Sequence, residues 1–403
     1  MPQNHKTMNI LFVSNNPFNP IVGGLERVTD VLTRELQSRG NQVFYLCSKI
    51  GPQNSSLLDY EFPAKLYQLP NEGNFDDLEN ASFYSHLQNE LKIDIVINQR
   101  GLGGELNNIL LLTKVKIISV IHSTPNANVV IGLGKLIQNT TPPLVSIKRC
   151  IKKLFSPIVS HYWERVYRRE QHSKYKELAC YSDVVVTLSR VDAKMLDKEC
   201  GISRLTNVVS IPNPNAFSIS HSSLGNKKKI ILYVGRLSKS EKAPIRLLQI
   251  WKYLYKNYSQ WKLKIVGDGE EMGAMQSYIE QHRLLNVSLE GSSIDVEQYY
   301  KEASFICLTS NVEGWGMALT EGMQYGCIPC TFNNYGAAFD IIDDDVNGCL
   351  IPAFDLKEYA KRLAELMSND AKRFKMSKAA IEKVKEFSVE NVADKWEKLF
   401  MNL

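Results

Sequence analysis

Nowhere in the 403 residues do about 18 apolar positions run unbroken, so no membrane-spanning helix is expected. The apolar run Ile10–Val13 is too short for the core of a secretory leader, and polar SNNP follows it. Cysteine is scarce: eight in so long a chain make no disulfide framework. Cys47, Cys307 and Cys349 fall in apolar runs, as buried thiols of a reducing compartment would. Cys327 and Cys330 have C-x-x-C spacing, but they follow a helical pattern and enter a strand. A redox dithiol wants a helix N-terminus, so they read as small residues lining a strand. Charge of one sign is also scarce: 48 Lys and Arg against 43 Asp and Glu give +5, too little to argue for nucleic acid. No zinc pattern or basic reading motif supports that partner either. A cytoplasmic chain is expected.

What is present is globular in proportion, 44% hydrophobic and 23% charged, and long enough for two domains. Strand-like runs alternate with helical patterns throughout. NILFVS (9–14) is followed by LERVTDVLTRELQSRG, whose Val28, Val31, Leu32 and Leu36 recur at a helical period and which stops at Gly40. Further runs occupy 42–47, 94–99, 116–121, 183–188 and 207–212, then 229–235, 261–267, 286–291, 304–309, 327–332 and 348–352. Such alternation implies parallel sheets covered on both faces. The expected class is α/β, with two doubly wound, Rossmann-like domains facing across a cleft, ligands binding at the C-terminal strand ends. The boundaries are 1–212 for the first domain, 213–228 for a turn-rich linker and 229–386 for the second domain. A final helix, 387–403, carries Val389, Val392, Trp396, Leu399 and Phe400 on one face and is expected to pack back on the first domain.

The stretch EGWGMALTE sets Glu313 before a glycine-rich turn and Glu321 beyond it. Gly314 and Gly316 let the backbone approach a ligand, and the free N–H groups opening the next helix favour an anion or a sugar hydroxyl. Glycoside hydrolysis needs carboxyl groups roughly 5–10 Å apart. Eight helical residues would span roughly 12 Å, which better suits two distant hydroxyl sets on one long ligand with a charged middle. A nucleotide-sugar has that form. In YVGRLSKSEKAPIRLL, Arg236 and Lys242 project from a strand-end turn, a planar fork and a point charge suited to a diphosphate leaving group.

These motifs resemble those of glycosyltransferase family 4, with its two-lobed GT-B fold. The resemblance rests on GRLSKSEKAP, IVGDGEE, EGWGMALTEGMQYGCIP and DDDVNGCLIP in the family's order, with GGLERV and VIHS on the N-terminal side. It implies that Glu313 meets the donor sugar and Glu321 the ribose. It implies that the amides of Gly316, Met317 and Ala318 hold the sugar–phosphate end, and that Arg236 and Lys242 clamp the diphosphate. Gly23 and Gly24 would approach the same phosphates, and His122 would lie beside the transferred sugar. Retention of configuration, no bound metal and no cofactor besides the UDP- or GDP-sugar-type donor are implied as well. Two departures stand out: Trp315 replaces the usual Phe, and EGMQYG replaces the commoner EAMAYG.

Three other signals are weaker. IVGDGEEMG lacks the spacing and downstream acid of a dinucleotide fingerprint and reads as a strand-end turn beside the donor base. Asp343–Asp345 precedes a turn and reads as a solvated loop, and GLGK (132–135) lacks the flanking residues of a phosphate loop. Between Lys148 and Lys176, nine Lys and Arg stand against Glu164 and Glu170. Ile147, Cys150, Ile151, Leu154 and Phe155 share one helical face, and Ser156–Pro157 is expected to begin a second helix. The segment 147–176 is either an amphipathic pair packed on its own domain or a surface for anionic lipid.

The reading is transfer of a sugar from a nucleotide-sugar to a glycan or lipid-linked acceptor hydroxyl, in cell-envelope polysaccharide or lipopolysaccharide synthesis. The enzyme would be cytoplasmic, peripheral at the inner face of the plasma membrane. A nucleotide-sugar epimerase and a non-catalytic sugar-binding subunit are the alternatives.

Overall fold

Alternation of apolar runs with amphipathic helices yields parallel sheets here, because parallel neighbours need a long crossover connection and a helix is its usual form. The computed structural model describes residues 7–20, 23–48, 60–71, 77–100, 115–131, 147–217, 219, 224 and 227–403, without the side chains of 147–160 and Glu199. The chain divides into two compact units. One comprises residues up to His122, Lys174–Ala216 and Glu386–Leu403, and the other Ser123–Ser173 and Phe217–Lys385.

The first sheet takes β1 (Asn9–Ser14), β2 (Gln42–Cys47), β3 (Lys65–Gln68), β4 (Ile95–Asn98), β5 (Lys116–Ile121), β6 (Val184–Thr187) and β7 (Asn207–Ser210) in the order β3-β2-β1-β4-β5-β6-β7. Its helices are α1 (Gly24–Ser38), α2 (Leu78–Glu90) and α4 (Arg190–Cys200), together with the last residues, from Lys174, of α3 (Ile147–Tyr181). The central strand β1 buries Ile10 to Val13 completely. Leu11 and Val13 join Leu46, Val96, Tyr84 and Leu87 in one apolar cluster, continuous-run burial being the mark of a strand covered on both faces. β3 was not foreseen. It is short, lies at the sheet edge and opens on a lysine, so no apolar run announces it.

The second sheet takes β8 (Lys228–Val234), β9 (Lys262–Val266), β10 (Val287–Gly291), β11 (Ala303–Cys307), β12 (Ile328–Phe332) and β13 (Cys349–Ile351) in the order β10-β9-β8-β11-β12-β13. Its helices are α5 (Ile245–Leu254), α6 (Met272–His282), α7 (Glu297–Glu302), α8 (Met317–Gln324), α9 (Ala338–Ile341), α10 (Leu356–Met367) and α11 (Asp370–Val384). The described strand pairs of both sheets are parallel.

The last helix, α12 (Val389–Met401), lies on α1 within the first unit. Val392, Trp396 and Phe400 are buried there, and Arg39 at the end of α1 donates to Asp394 (2.6 Å) and Glu397 (2.9 Å). One helical expectation is corrected: no new helix begins at Ser156–Pro157, because α3 runs unbroken for 35 residues through both. The side chains of Lys148, Arg149, Lys152, Lys153 and their apolar neighbours lie outside the described residues, as does GLGK at 132–135. Among the described residues no helix is long and apolar enough to cross a membrane.

Candidate functional site

In the second unit the site begins where β8 and β9 end. Gly235 donates its amide to Val266 (3.0 Å), Leu237 to Asp268 (2.9 Å), and Glu271 back to Leu237 (2.9 Å), lacing the two exit loops together. The lacing demands glycine: a Cβ on Gly267, which has φ +143°, would sit 1.9 Å from the Gly235 carbonyl oxygen. This is the role of IVGDGEE here, a close backbone approach between loops.

The β8 loop is then pinned to the β11 loop. Asn311 and Val312 donate to the Glu241 carbonyl (2.7 and 3.2 Å), and the Thr309 hydroxyl donates to Ala243 (3.0 Å). Asn334 spans the other side, donating to the Ser310 and Asn311 carbonyls (3.1 and 2.9 Å). The pinned loops bring Lys242 to Glu313: Nζ donates to both carboxylate oxygens at 2.8 Å. Ser310 Oγ adds a third hydrogen bond to Oε1 at 2.7 Å. Glu313 is 6% exposed, so this carboxylate is held by its donors in place of water. Arg236 is different. It is mostly exposed and approaches Glu241 at 3.7 Å, a loose surface pair.

Next along the chain, Gly316 caps α8 in the left-handed region (φ +89°), where a Cβ would lie 3.2 Å from the Tyr335 hydroxyl. Its carbonyl accepts from Leu319 (2.8 Å), opening the helix whose first residues are Met317 and Ala318. Glu321, one turn on, is buried and accepts from the Tyr300 hydroxyl at 2.8 Å. Both carboxylates of EGWGMALTE therefore have fixed protein donors, and neither is a solvent-facing surface glutamate. Gly322, the departure from the commoner alanine, has a local cause: a Cβ there would lie 2.8 Å from Ile306 Cγ2 on β11.

In the first unit Gly23 is the extended N-cap of α1, Gly24 is the helix's first residue, and Gly23 accepts from Arg27 (3.2 Å). His122 follows β5 and its Nε2 bonds Gln99 Oε1 just beyond β4. A relay sets the polarity of that bond. The Thr29 hydroxyl on α1 donates to the Leu25 carbonyl (2.9 Å), so it accepts from Gln99 Nε2 (3.4 Å), leaving Gln99 Oε1 to accept from His122. The imidazole thus carries its proton on Nε2. The residue keeps some exposed surface, but its ring is enclosed, and burial pushes its pKa from 6.5 down to about 3.

Sequence reasoning missed Gln99, Ser310, Tyr300 and Asn334, the hydrogen-bonding partners that hold the named residues. Only Gln99 left a trace, a polar residue closing the apolar run DIVINQ. Asp343, Asp344 and Asp345 pair with Lys383 (3.5 Å), Arg362 (2.8 Å) and Lys372 (2.6 Å), and no metal-holding group of three His, Cys, Asp or Glu exists among the described residues.

Two family models match the chain back to back: glycosyltransferase family 4 over residues 22–214 and glycosyl transferases group 1 over residues 217–383. The chain belongs to the glycosyltransferase superfamily of GT-B fold. It is 27% identical over 223 residues to the amylovoran biosynthesis glycosyltransferase AmsD of Erwinia amylovora, covering 54% of this chain and 62% of that protein. It is 29% identical over 190 residues to a Campylobacter jejuni alpha-1,4-N-acetyl-D-galactosaminyltransferase named for a PP-undecaprenol-linked acceptor, covering 46% and 52%. These alignments span between half and two thirds of the relatives' own length. In fold, this GT-B chain matches the pneumococcal O-GlcNAc transferase GtfA, a structure in complex with UDP and GlcNAc. The TM-score is 0.72 at 13% identity, over 99% of each chain.

Proposed function

We propose that this chain is a retaining, metal-independent glycosyltransferase that moves a sugar from a nucleotide-sugar to an acceptor hydroxyl in the synthesis of a cell-envelope polysaccharide or lipopolysaccharide. The observation that carries the reading is the pair of buried, hydrogen-bonded carboxylates, Glu313 and Glu321, on either side of the left-handed Gly316 that opens α8. Held rigidly, they present oxygen acceptors to two hydroxyl-bearing ends of one ligand, while the Gly316, Met317 and Ala318 amides meet the phosphate end.

Lys242 is already bound to Glu313, so its first task is to fix that carboxylate against the donor sugar and its second to add positive charge beside the departing diphosphate. Arg236, exposed and loosely paired, supplies the mobile fork. Charge developing on the leaving group is then met by protein cations and helix amides, and the leaving phosphate accepts the acceptor's proton. In the first unit, His122 serves as a neutral hydrogen-bonding group, and Gly23 and Gly24 open α1 with close-approaching backbone. The acceptor is a glycan or a lipid-linked glycan, as the names of the relatives suggest. On α3, exposed Tyr162, Trp163, Arg165 and Arg169 fit the interface of an anionic membrane that would carry such a lipid.

The deciding experiment incubates the chain with UDP-, GDP- and ADP-sugars, first alone and then with candidate acceptors, in EDTA. Thermal stabilisation by one nucleotide class and acceptor-dependent nucleotide release are expected. Stabilisation by none, or an epimerised donor without acceptor, would overturn the reading. Abolition by EDTA would overturn metal independence. Flotation with anionic but not neutral vesicles is expected, weakened in a Trp163→Ser/Arg165→Ser variant; equal flotation of that variant removes the membrane role.

A further inference from the structure

Lys227 and Cys327 meet inside the second unit, apart from the residues assigned above. Lys227 Nζ donates to the Tyr300 carbonyl at 2.7 Å and lies 3.6 Å from Cys327 Sγ. The thiol's one hydrogen is shared between the same carbonyl, at 3.1 Å from sulfur, and that of Ala303, at 3.2 Å. One carbonyl oxygen therefore holds an amine and a thiol side by side. Cys327 is fully buried, whereas Lys227 keeps some exposed surface.

The other half of the C-x-x-C spacing is engaged elsewhere. Cys330 on β12 sits in register with Cys307 on β11 and Cys349 on β13, forming a row of thiols across three strands. The neighbour that matters to Cys327 is an amine. Joining the two needs a nitrogen lone pair, and burial supports this by holding the Lys227 pKa below its usual value. Burial raises the Cys327 pKa while the lysine opposes the rise.

We infer that Lys227 and Cys327 form an oxidative modification site at which a peroxide joins sulfur to nitrogen. In the first step the Cys327 sulfur attacks a peroxide oxygen. The S–O bond forms, the O–O bond breaks, and the hydroxide departs as water with the thiol proton, leaving a sulfenic acid. In the second, the Lys227 lone pair attacks that sulfur. The S–N bond forms, the S–O bond breaks, and the hydroxide departs as water with an amine proton. Sulfur loses two electrons, peroxide gains them, and nitrogen keeps its place as nucleophile. A thiol reductant attacking the sulfur reverses the bond. Closure draws Nζ from the carbonyl of Tyr300, the residue whose hydroxyl holds Glu321.

The test treats the full chain with hydrogen peroxide, digests it without reductant and reads the peptides by mass spectrometry. The expected product joins the Lys227 and Cys327 peptides at two hydrogens below their summed mass. It separates on adding dithiothreitol and is absent from Lys227→Arg and Cys327→Ser. In Lys227→Arg, dimedone should trap the stranded sulfenic acid. Exposed Cys180 reports that the peroxide has acted. Wild-type peptides recovered separately after Cys180 has oxidised, with Cys327 either unchanged or carried to sulfinic acid, would overturn the inference. The readout needs neither donor nor acceptor, so its failure is distinct from a failure of the proposed transfer.

Discussion

In the first unit an uncharged relay runs beyond the strand ends, from His122 through Gln99 and Thr29 to the Leu25 carbonyl, and the neighbouring guanidinium of Arg100 donates to neutral Asn15. In the second unit the corresponding strand ends carry ions, with Lys242 holding Glu313 and Tyr300 holding Glu321. Yet the two sheets are wound alike. The six strands β10-β9-β8-β11-β12-β13 repeat the pattern of β3-β2-β1-β4-β5-β6, and β7 is the first sheet's addition. Winding sets where ligands are met, at the C-terminal ends of parallel strands, and exit-loop residues set what is met. The ions of the second unit suit an anionic nucleotide, whereas in the first the neutral His122–Gln99 pair suits hydroxyl-bearing groups.

The contrast can be broken most severely at Glu313. Glu313→Gln keeps the shape but removes the charge that Lys242 binds. Turnover is expected to fall about 100-fold with the melting temperature little changed. Comparable rates in a steady-state assay would show that the ionic character of the second unit is incidental. Gly267→Ala tests the lacing beneath the ions. Its Cβ meets a backbone carbonyl, so roughly 3 kcal/mol of stability should be lost in urea denaturation. Tyr300→Phe withdraws a donor from buried Glu321 at a cost of about 1.4 kcal/mol, or tenfold in nucleotide affinity by titration calorimetry.

The remaining test concerns the first unit and is read through pH. The folded chain holds His122 unprotonated down to about 3, whereas the unfolded chain protonates it from 6.5 downward. A depressed pKa contributes stability that is intact above 6.5 and lost as the pH falls toward 3. Over that window wild type should lose stability relative to His122→Gln, and the two should run parallel above it. Parallel curves throughout would mean that the ring titrates normally.

Much of this architecture was legible because buried parallel strands write themselves as apolar runs: NILFVS, KIISVI and KIILYVG all fall on or within a residue of observed strands. β3 was not, since KLYQ at an edge needs no apolar face. Nor was the continuity of α3, where local Ser-Pro chemistry argued for a fresh start and the helix ran on. The charged residues of the candidate site stand out by type and spacing, but their pairing does not. Tyr300 is 21 positions from Glu321 and Lys242 is 71 from Glu313, separations that only the fold closes. Gly322 of EGMQYG was visible as a letter, and its cause lay on the strand β11.

That cause reaches beyond one position. Ile306 fills the space a methyl on residue 322 would take, so the two positions share a single allowance of volume. Restoring alanine on the helix is then tolerable only with a slimmer residue on the strand, and slimming the strand alone opens a hole. The glycine and the isoleucine therefore act as one packing unit, and a substitution at either is felt through the other.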